Sequence, residues 1–186
     1  MTLKEVYDIY CVGTGIEIGC GESPLPFNTI KVDLKPRQVV NTGEVYLMSE
    51  SKADIYSDGH TLKGFADNHF DFIVSQHTLE HLVNPIKALM RWRELLKDRG
   101  VVIALVPLYP DFTPLDTLIE RFHKDVDTSE LCSGHPSMYC SNTLKTIFEL
   151  SGLGIVKAEL LGIINDIRGN SVQLGLGYIV GQKREV

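Results

Sequence analysis

Three groups of residues in this chain have types and spacings that could do chemistry. The first is Glu17-Ile18-Gly19-Cys20-Gly21, an acidic residue in an apolar run followed by two glycines. Glycines at a strand end let a backbone come close to a ligand, or simply make a tight turn. The second is Asp33, at the tip of the apolar run TIKVDL. A carboxylate there can accept hydrogen bonds from ribose hydroxyls, or cap the turn before Pro36. The third is His77-x-x-Glu80-His81, a spacing that binds zinc when a helix carries it.

The glycine turn fails as a dinucleotide fingerprint, because Ile18 stands where G-x-G-x-x-G starting at Gly13 needs its third glycine. Asp33 follows Gly21 by only twelve positions, and Pro24 and Pro26 disfavour a helix between them. A pyrophosphate cofactor would need the N-terminus of that missing helix. A cofactor without phosphates would not, so the spacing favours S-adenosylmethionine over a nicotinamide dinucleotide.

These residues need elements to position them. Leu3, Val6, Tyr7 and Tyr10 share one helical face, and Gly15 to Gly19 reads as a buried strand. Thr29 to Leu34 is a second strand, a short third ends near Tyr56, and Phe70 to about Ser75 is a fourth. Residues 37 to 52 carry no clear period. Asn84-Pro85 is a helix start, with Ile86, Leu89, Met90 and Leu96 as its apolar face and Gly100 as its stop. Val101 to Val106 is apolar throughout, as in a strand covered on both faces. A helix from Ser141 to about Leu150, stopped by Gly152, precedes two last strands, Ile155 to about Ile163 and Val172 to Val180. The segment joining them is short enough for an antiparallel hairpin. The alternation predicts a doubly wound, Rossmann-like α/β domain with a mostly parallel sheet and an antiparallel C-terminal hairpin.

Residues 107 to about 140 break this rhythm, with four prolines, mixed charge and one helix from Pro114 to about Lys124. They follow a strand's carboxyl end, where open α/β sheets bind ligands, and read as a lid or substrate-selecting insertion. His77 directly follows the strand FDFIVS, so it falls in a loop and need not share a helical face with His81. The zinc reading therefore loses to a cofactor-side loop, and no metal site is expected.

The totals set outer bounds. The 186 residues, 44% hydrophobic and 23% charged, suit one globular domain spanning 1-186. A net charge of -6 and a pI of about 5.5 argue against nucleic acid as partner. Cys11, Cys20, Cys132 and Cys140 form no zinc-ribbon pairing, which with the absence of a signal-peptide pattern predicts a reducing, cytoplasmic setting. No apolar run reaches transmembrane length. Oligomeric state is not legible.

The stretches GIEIGCGESPLPFNTIKVDL, SDGHTLKGFADNHFDFIVSQHTLEHLVNPIKALMRWRELLKDRGVVIALVP and SNTLKTIFELSGL, in this order, resemble class I S-adenosylmethionine-dependent methyltransferases. The resemblance runs from about Gly15 to Gly152 and is greatest to small members with a shortened first crossover. It departs at Lys97-Asp98-Arg99-Gly100, where the family often has K-P-G-G. It implies a seven-stranded sheet with S-adenosyl-L-methionine at its carboxyl edge. Glu17, Gly19, Cys20 and Gly21 would line the methionine end, Asp33 would hold the ribose, and Leu34 would pack near the adenine. Asp58 and Gly59 would address the adenine edge, with Ser75, Gln76 and His77 below the sulfonium. It also implies an acceptor of the sugar or glycan kind, because similar methyltransferases are associated with polysaccharide modification.

Methyl transfer is an in-line displacement, so the protein aligns nucleophile and methyl and removes a proton from a hydroxyl acceptor. His77, Asp111 and His135 are the candidate bases, with His123 a further one. Tyr109, Arg121, Lys124 and Tyr139 are candidates to shape the acceptor pocket, or else a solvated helix face for the charges and core packing for the rings, and Trp92 reads as packing. The competing expectation is a non-catalytic module on the same fold; the intact Glu17, glycines, Asp33 and Asp58 weigh against it.

Overall fold

The computed structural model describes residues 2–35, 38–41, 44–47, 51–126, 135–164 and 174–184. Helix α1 (Leu3–Tyr10) starts from a capping box, in which Thr2 Oγ1 accepts from Glu5 N and Glu5 Oε2 accepts from Thr2 N. Then come β1 (Gly15–Ile18), β2 (Thr29–Asp33), a hairpin of β3 (Gln38–Asn41) and β4 (Glu44–Leu47), β5 (Ile55–Tyr56) and β6 (Phe70–Gln76). After a single 3-10 turn at Leu79–His81 follow α2 (Pro85–Leu95), β7 (Leu96–Leu108), α3 (Leu115–His123), α4 (Ser141–Leu150), β8 (Leu153–Ile164) and β9 (Leu174–Lys183).

Seven of the strands form one sheet in the order β5-β2-β1-β6-β7-β9-β8. All pairs up to β7 are parallel, while β9 runs antiparallel to both β7 and β8. This is the doubly wound sheet with an antiparallel C-terminal hairpin that the sequence predicts. No helix intervenes between β1 and β2, in keeping with Pro24 and Pro26. The strand order reverses between β1 and β6, which opens a crevice at their carboxyl ends.

One face of the sheet packs Ile16, Ile18 and Ile73 against Leu89, Trp92, Leu144 and Phe148 of α2 and α4. The other packs Phe72, Val74, Ile103 and Val180 under Val6 and Tyr7 of α1. Helix α2 opens as expected, with Asn84 Oδ1 accepting from Lys87 N at 3.2 Å and Pro85 in the first turn. It ends at Leu95 rather than near Gly100. Leu96 is fully buried and pairs with Phe70 in the ladder, so sheet pairing pulls the chain out of the helix earlier than the glycine could stop it. Arg99, at φ +62, then makes the turn into the main run of β7.

The β3–β4 hairpin is the element the sequence reading misses. Its signal is two runs of four residues separated by Thr42-Gly43, which an eye searching for longer periods passes over. The segment expected to join the last two strands lies outside the described residues. No helix among the described residues is long and apolar enough to cross a membrane.

Candidate active site

The chemistry-bearing residues gather at the carboxyl ends of β1, β2, β5 and β6. The chain leaves β1 through Gly19 and Gly21, both in the left-handed region, at φ +76 and +55. A side chain at Gly19 would put its Cβ 1.8 Å from Thr78 Oγ1, which itself bonds the carbonyls of Ile18 and Gln76 and so ties β1 to β6. A Cβ at Gly21 would meet nothing within 4 Å. The first glycine is required by packing; the second borders open space.

Asp33 closes the turn from β2. Its Oδ2 accepts from Gly21 N and its Oδ1 from Leu34 N, each at 2.7 Å. Oδ1 keeps a further lone pair for a ligand, while Oδ2 also faces the weak donor Cys20 Sγ. Cys20 is buried with its Sγ 4.0 Å from Asp33 Oδ2, and burial pushes its thiol up to about 11, assisted by the Asp33 and Glu17 charges. It is a packed thiol, not a nucleophile.

Glu17 points to the α1 side of the sheet and is 3% exposed. Both its oxygens accept from Leu25 N, at 3.0 and 3.1 Å, and burial raises its carboxyl above the usual range. Beside it Gln76 Nε2 donates to the Tyr7 hydroxyl, which burial holds up at about 12. The Tyr7 ring meets Phe27 edge-on at 5.4 Å, so α1 and the proline-rich turn close this side together.

Across the crevice, Asp58 Oδ1 accepts from His60 N at 2.7 Å and from His60 Nδ1 at 2.8 Å. The buried His60 takes Asn84 N on its Nε2 at 3.4 Å, which links Asp58 to the cap of α2. Trp92 Nε1 donates to Gly59 O at 2.7 Å. Trp92 packs, as expected, but it also fixes the backbone next to Asp58. Sequence reasoning missed Leu25, His60 and this second role of Trp92.

At the end of β6, Ser75 is 1% exposed, and its Oγ has no partner among the described residues. His77 adopts φ +49 and anchors its N–H on Leu105 O at 2.9 Å. Its half-exposed ring lies 3.4 Å from Glu80 Oε1, and that carboxylate raises its pKa. Because Leu79–His81 is one 3-10 turn, His77 and His81 share no α-helical face, as the sequence reading argues.

The insertion packs onto this edge. Ser137 Oγ donates to Leu82 O at 2.7 Å, and Tyr139 OH to Leu79 O at 3.0 Å. Tyr139 is fully buried, so of its two expected roles it takes core packing and not pocket wall. Arg121 Nη1 donates to Pro136 O at 2.8 Å while its carbonyl accepts from Asn84 Nδ2, which makes it a clamp between α3 and the site. Lys124 pairs with Glu120 on the exposed side of α3. Tyr109 OH bonds His135 Nδ1, and the His81 and His135 rings meet edge-on at 4.6 Å. Burial and the neighbouring His81 lower the His135 pKa. The structure thus gathers His77 and His135 around Glu80, whereas Asp111 and His123 are exposed.

Residues 5–158 match the methyltransferase domain family. No curated protein matches the chain in sequence. A S-adenosylmethionine-dependent methyltransferase from Methanosarcina mazei shares the fold at TM-score 0.61 and 13% identity, over 100% of this chain and 99% of that one. Another from Thermotoga maritima does so at TM-score 0.61 and 14% identity, over 98% and 87%. The [4+2]-cyclase SpnF shares it too, at TM-score 0.62 and 12% identity, over 98% and 80%. With most of its length matched and its crevice at the expected switch point, the chain belongs to the methyltransferase domain family, as a class I enzyme that uses S-adenosylmethionine.

Proposed function

We propose that the glycine turn, Glu17, Asp33 and Asp58 hold S-adenosylmethionine, and that the enzyme methylates a hydroxyl of a small polar acceptor, a sugar or glycan first among them. The open space at Gly21 and the unpartnered Ser75 Oγ support the cofactor placement. Glu17 receives the ammonium of the methionine moiety on lone pairs that Leu25 N leaves unused. Asp33 takes the ribose hydroxyls from a position that its two backbone bonds fix in advance. Leu34 packs near the adenine, and Asp58 and Gly59, steadied by His60 and Trp92, address its edge. Cys20 lines the turn without reacting. When bound, the cofactor supplies the electrophilic methyl; the protein aligns the acceptor and handles its proton.

The observation that carries the acceptor class is the imidazole, carboxylate and phenol group formed by His77, Glu80, Tyr109 and His135 where residues 135–140 pack on the edge. A hydroxyl must lose a proton during transfer, and such a wall handles protons, whereas an amine needs only to arrive deprotonated. His77 is the proton acceptor in this reading, with His135 beside it. Asp111, exposed on the way into α3, stands at the insertion's outer rim and serves acceptor entry at most. The test is a screen of sugars, glycans, phenols and amines for S-adenosylhomocysteine release. Turnover with hydroxyl acceptors that falls in His77→Ala supports the reading; turnover with amines alone contradicts it.

A further inference from the structure

The H-x-x-E-H motif keeps a feature that cofactor binding does not absorb. Glu80 is 0% exposed, and among the described residues neither of its carboxylate oxygens has a hydrogen-bond partner. The half-exposed His77, its Nδ1 3.4 Å from Oε1, is an ion-pair partner when protonated but completes no such bond, and Oε2 lacks even that. A carboxylate taken out of water is costly unless it is paired or coordinates a metal. One ligand atom each from Glu80, His81 and His135 lies within 4.8 Å of the others. Two ligand atoms on one ion about 2.1 Å away can be at most about 4.2 Å apart, so side-chain adjustment on the order of an ångström closes the set.

We propose that Glu80, His81 and His135 bind one divalent transition-metal ion of the zinc type. Two imidazoles and a carboxylate suit zinc, cobalt or iron(II) and leave coordination positions open, as catalytic sites do and four-ligand structural sites do not. The second shell is present: the Tyr109 hydroxyl holds His135 Nδ1, as ligating histidines are ordinarily held through their other nitrogen. The sequence reading expects no metal site, having weighed only His77 and His81 on one helix. The ligand atoms that lie together are those of Glu80, His81 and a histidine 54 positions downstream of His81.

The role assigned to the ion rests on the hydroxyl-acceptor reading above. An acceptor oxygen in an open position would lose its proton more readily, with the His77 imidazole beside Glu80 to receive it. Its lone pair then forms the new C–O bond as the C–S bond breaks, and the sulfonium electrons return to sulfur. The ion also joins the turn after β6 to the insertion at His135.

The experiment is titration of chelator-treated protein with cobalt(II) and zinc(II), read by metal analysis and the cobalt visible spectrum. S-adenosylhomocysteine binding is measured on the same samples. The expected result is one ion per chain. Uptake falls in Glu80→Gln and His135→Gln by more than the roughly 10–100-fold that loss of an outer partner costs, and within that range in Tyr109→Phe. Cofactor binding holds in all of them. If Glu80→Gln fails to fold, the half-buried His135 carries the test alone. Wild type that binds S-adenosylhomocysteine but takes up neither metal overturns the ion site and leaves the methyltransferase reading standing. Uptake undiminished in His135→Gln overturns the ligand assignment. Metal uptake without S-adenosylhomocysteine binding overturns the cofactor placement and the activating role together.

Discussion

The two glycines of the turn should fail differently when each is changed to alanine. Both sit at positive φ, where a side chain costs about 1–2 kcal/mol. At Gly19 the new methyl would also arrive 1.8 Å from Thr78 Oγ1, displacing a hydroxyl that bonds Ile18 O and Gln76 O. The hydroxyl shares one proton between them, so its loss adds about 0.5–1.5 kcal/mol. Gly19→Ala should therefore cost about 1.5–3.5 kcal/mol, or roughly 3–14 °C in Tm for a chain of this size. Gly21→Ala meets nothing within 4 Å, so its stability cost stays at the strain alone. Its methyl instead enters the space assigned to the cofactor, which should weaken S-adenosylhomocysteine binding at least about tenfold, equivalent to about 1.4 kcal/mol. Thermal melting and calorimetric titration on both variants separate the two effects. Adding Thr78→Ala to Gly19→Ala removes the clash, so the double variant should melt above the single one. Gly21→Ala with unchanged cofactor affinity, or a double variant no more stable than Gly19→Ala, would refute this account of the turn.

Other perturbations have equally definite outcomes. Trp92→Phe leaves Gly59 O unpaired in the core and should lower stability by about 2–4 kcal/mol in chemical denaturation, with weaker cofactor binding in the folded fraction. His60→Phe removes the ring contacts to Asp58 Oδ1 and Asn84 N while keeping the backbone bond to Asp58, and calorimetric titration should show weaker cofactor binding in the folded protein. Glu17 has a folded-state pKa raised by burial, so the folded state holds its proton longer than the unfolded chain does. Its contribution is present below the ordinary carboxylate value and is lost as pH rises through the raised one. Glu17→Gln should therefore gain stability relative to wild type across that window while losing cofactor affinity, and melting curves at stepped pH check the sign.

Much of this was legible because local chemistry and global fold agree. Asn84-Pro85 starts a helix by capping rules alone, GIEI and FDFIVS are apolar enough to be largely buried strands, and TIKVD is a partly buried one. Glu17, Gly21 and Asp33 were singled out by residue type and strand-end position, and the fold brings them to one crevice, where Gly21 N donates to Asp33. The end of α2 was not legible, since the pairing of Leu96 with Phe70 that ends it comes from a strand some 25 positions earlier. The same holds for Glu80. Its neighbours in sequence suggested a helical zinc motif, while the residue that completes the cluster, His135, arrives through the insertion. Trp92 looked like packing because no sequence signal tells which carbonyl a buried indole will meet.

The central claim is that S-adenosylmethionine binds at the glycine turn with Asp33 as its ribose acceptor. Calorimetric titration of S-adenosylhomocysteine into wild type and Asp33→Ala tests it most directly, with circular dichroism on both samples to establish folding. The account predicts one molecule bound per wild-type chain and affinity reduced at least about tenfold in the variant, because the carboxylate both meets the ribose and holds Gly21 N. A folded wild type that binds neither S-adenosylmethionine nor S-adenosylhomocysteine, or a variant that binds as tightly as wild type, would contradict it.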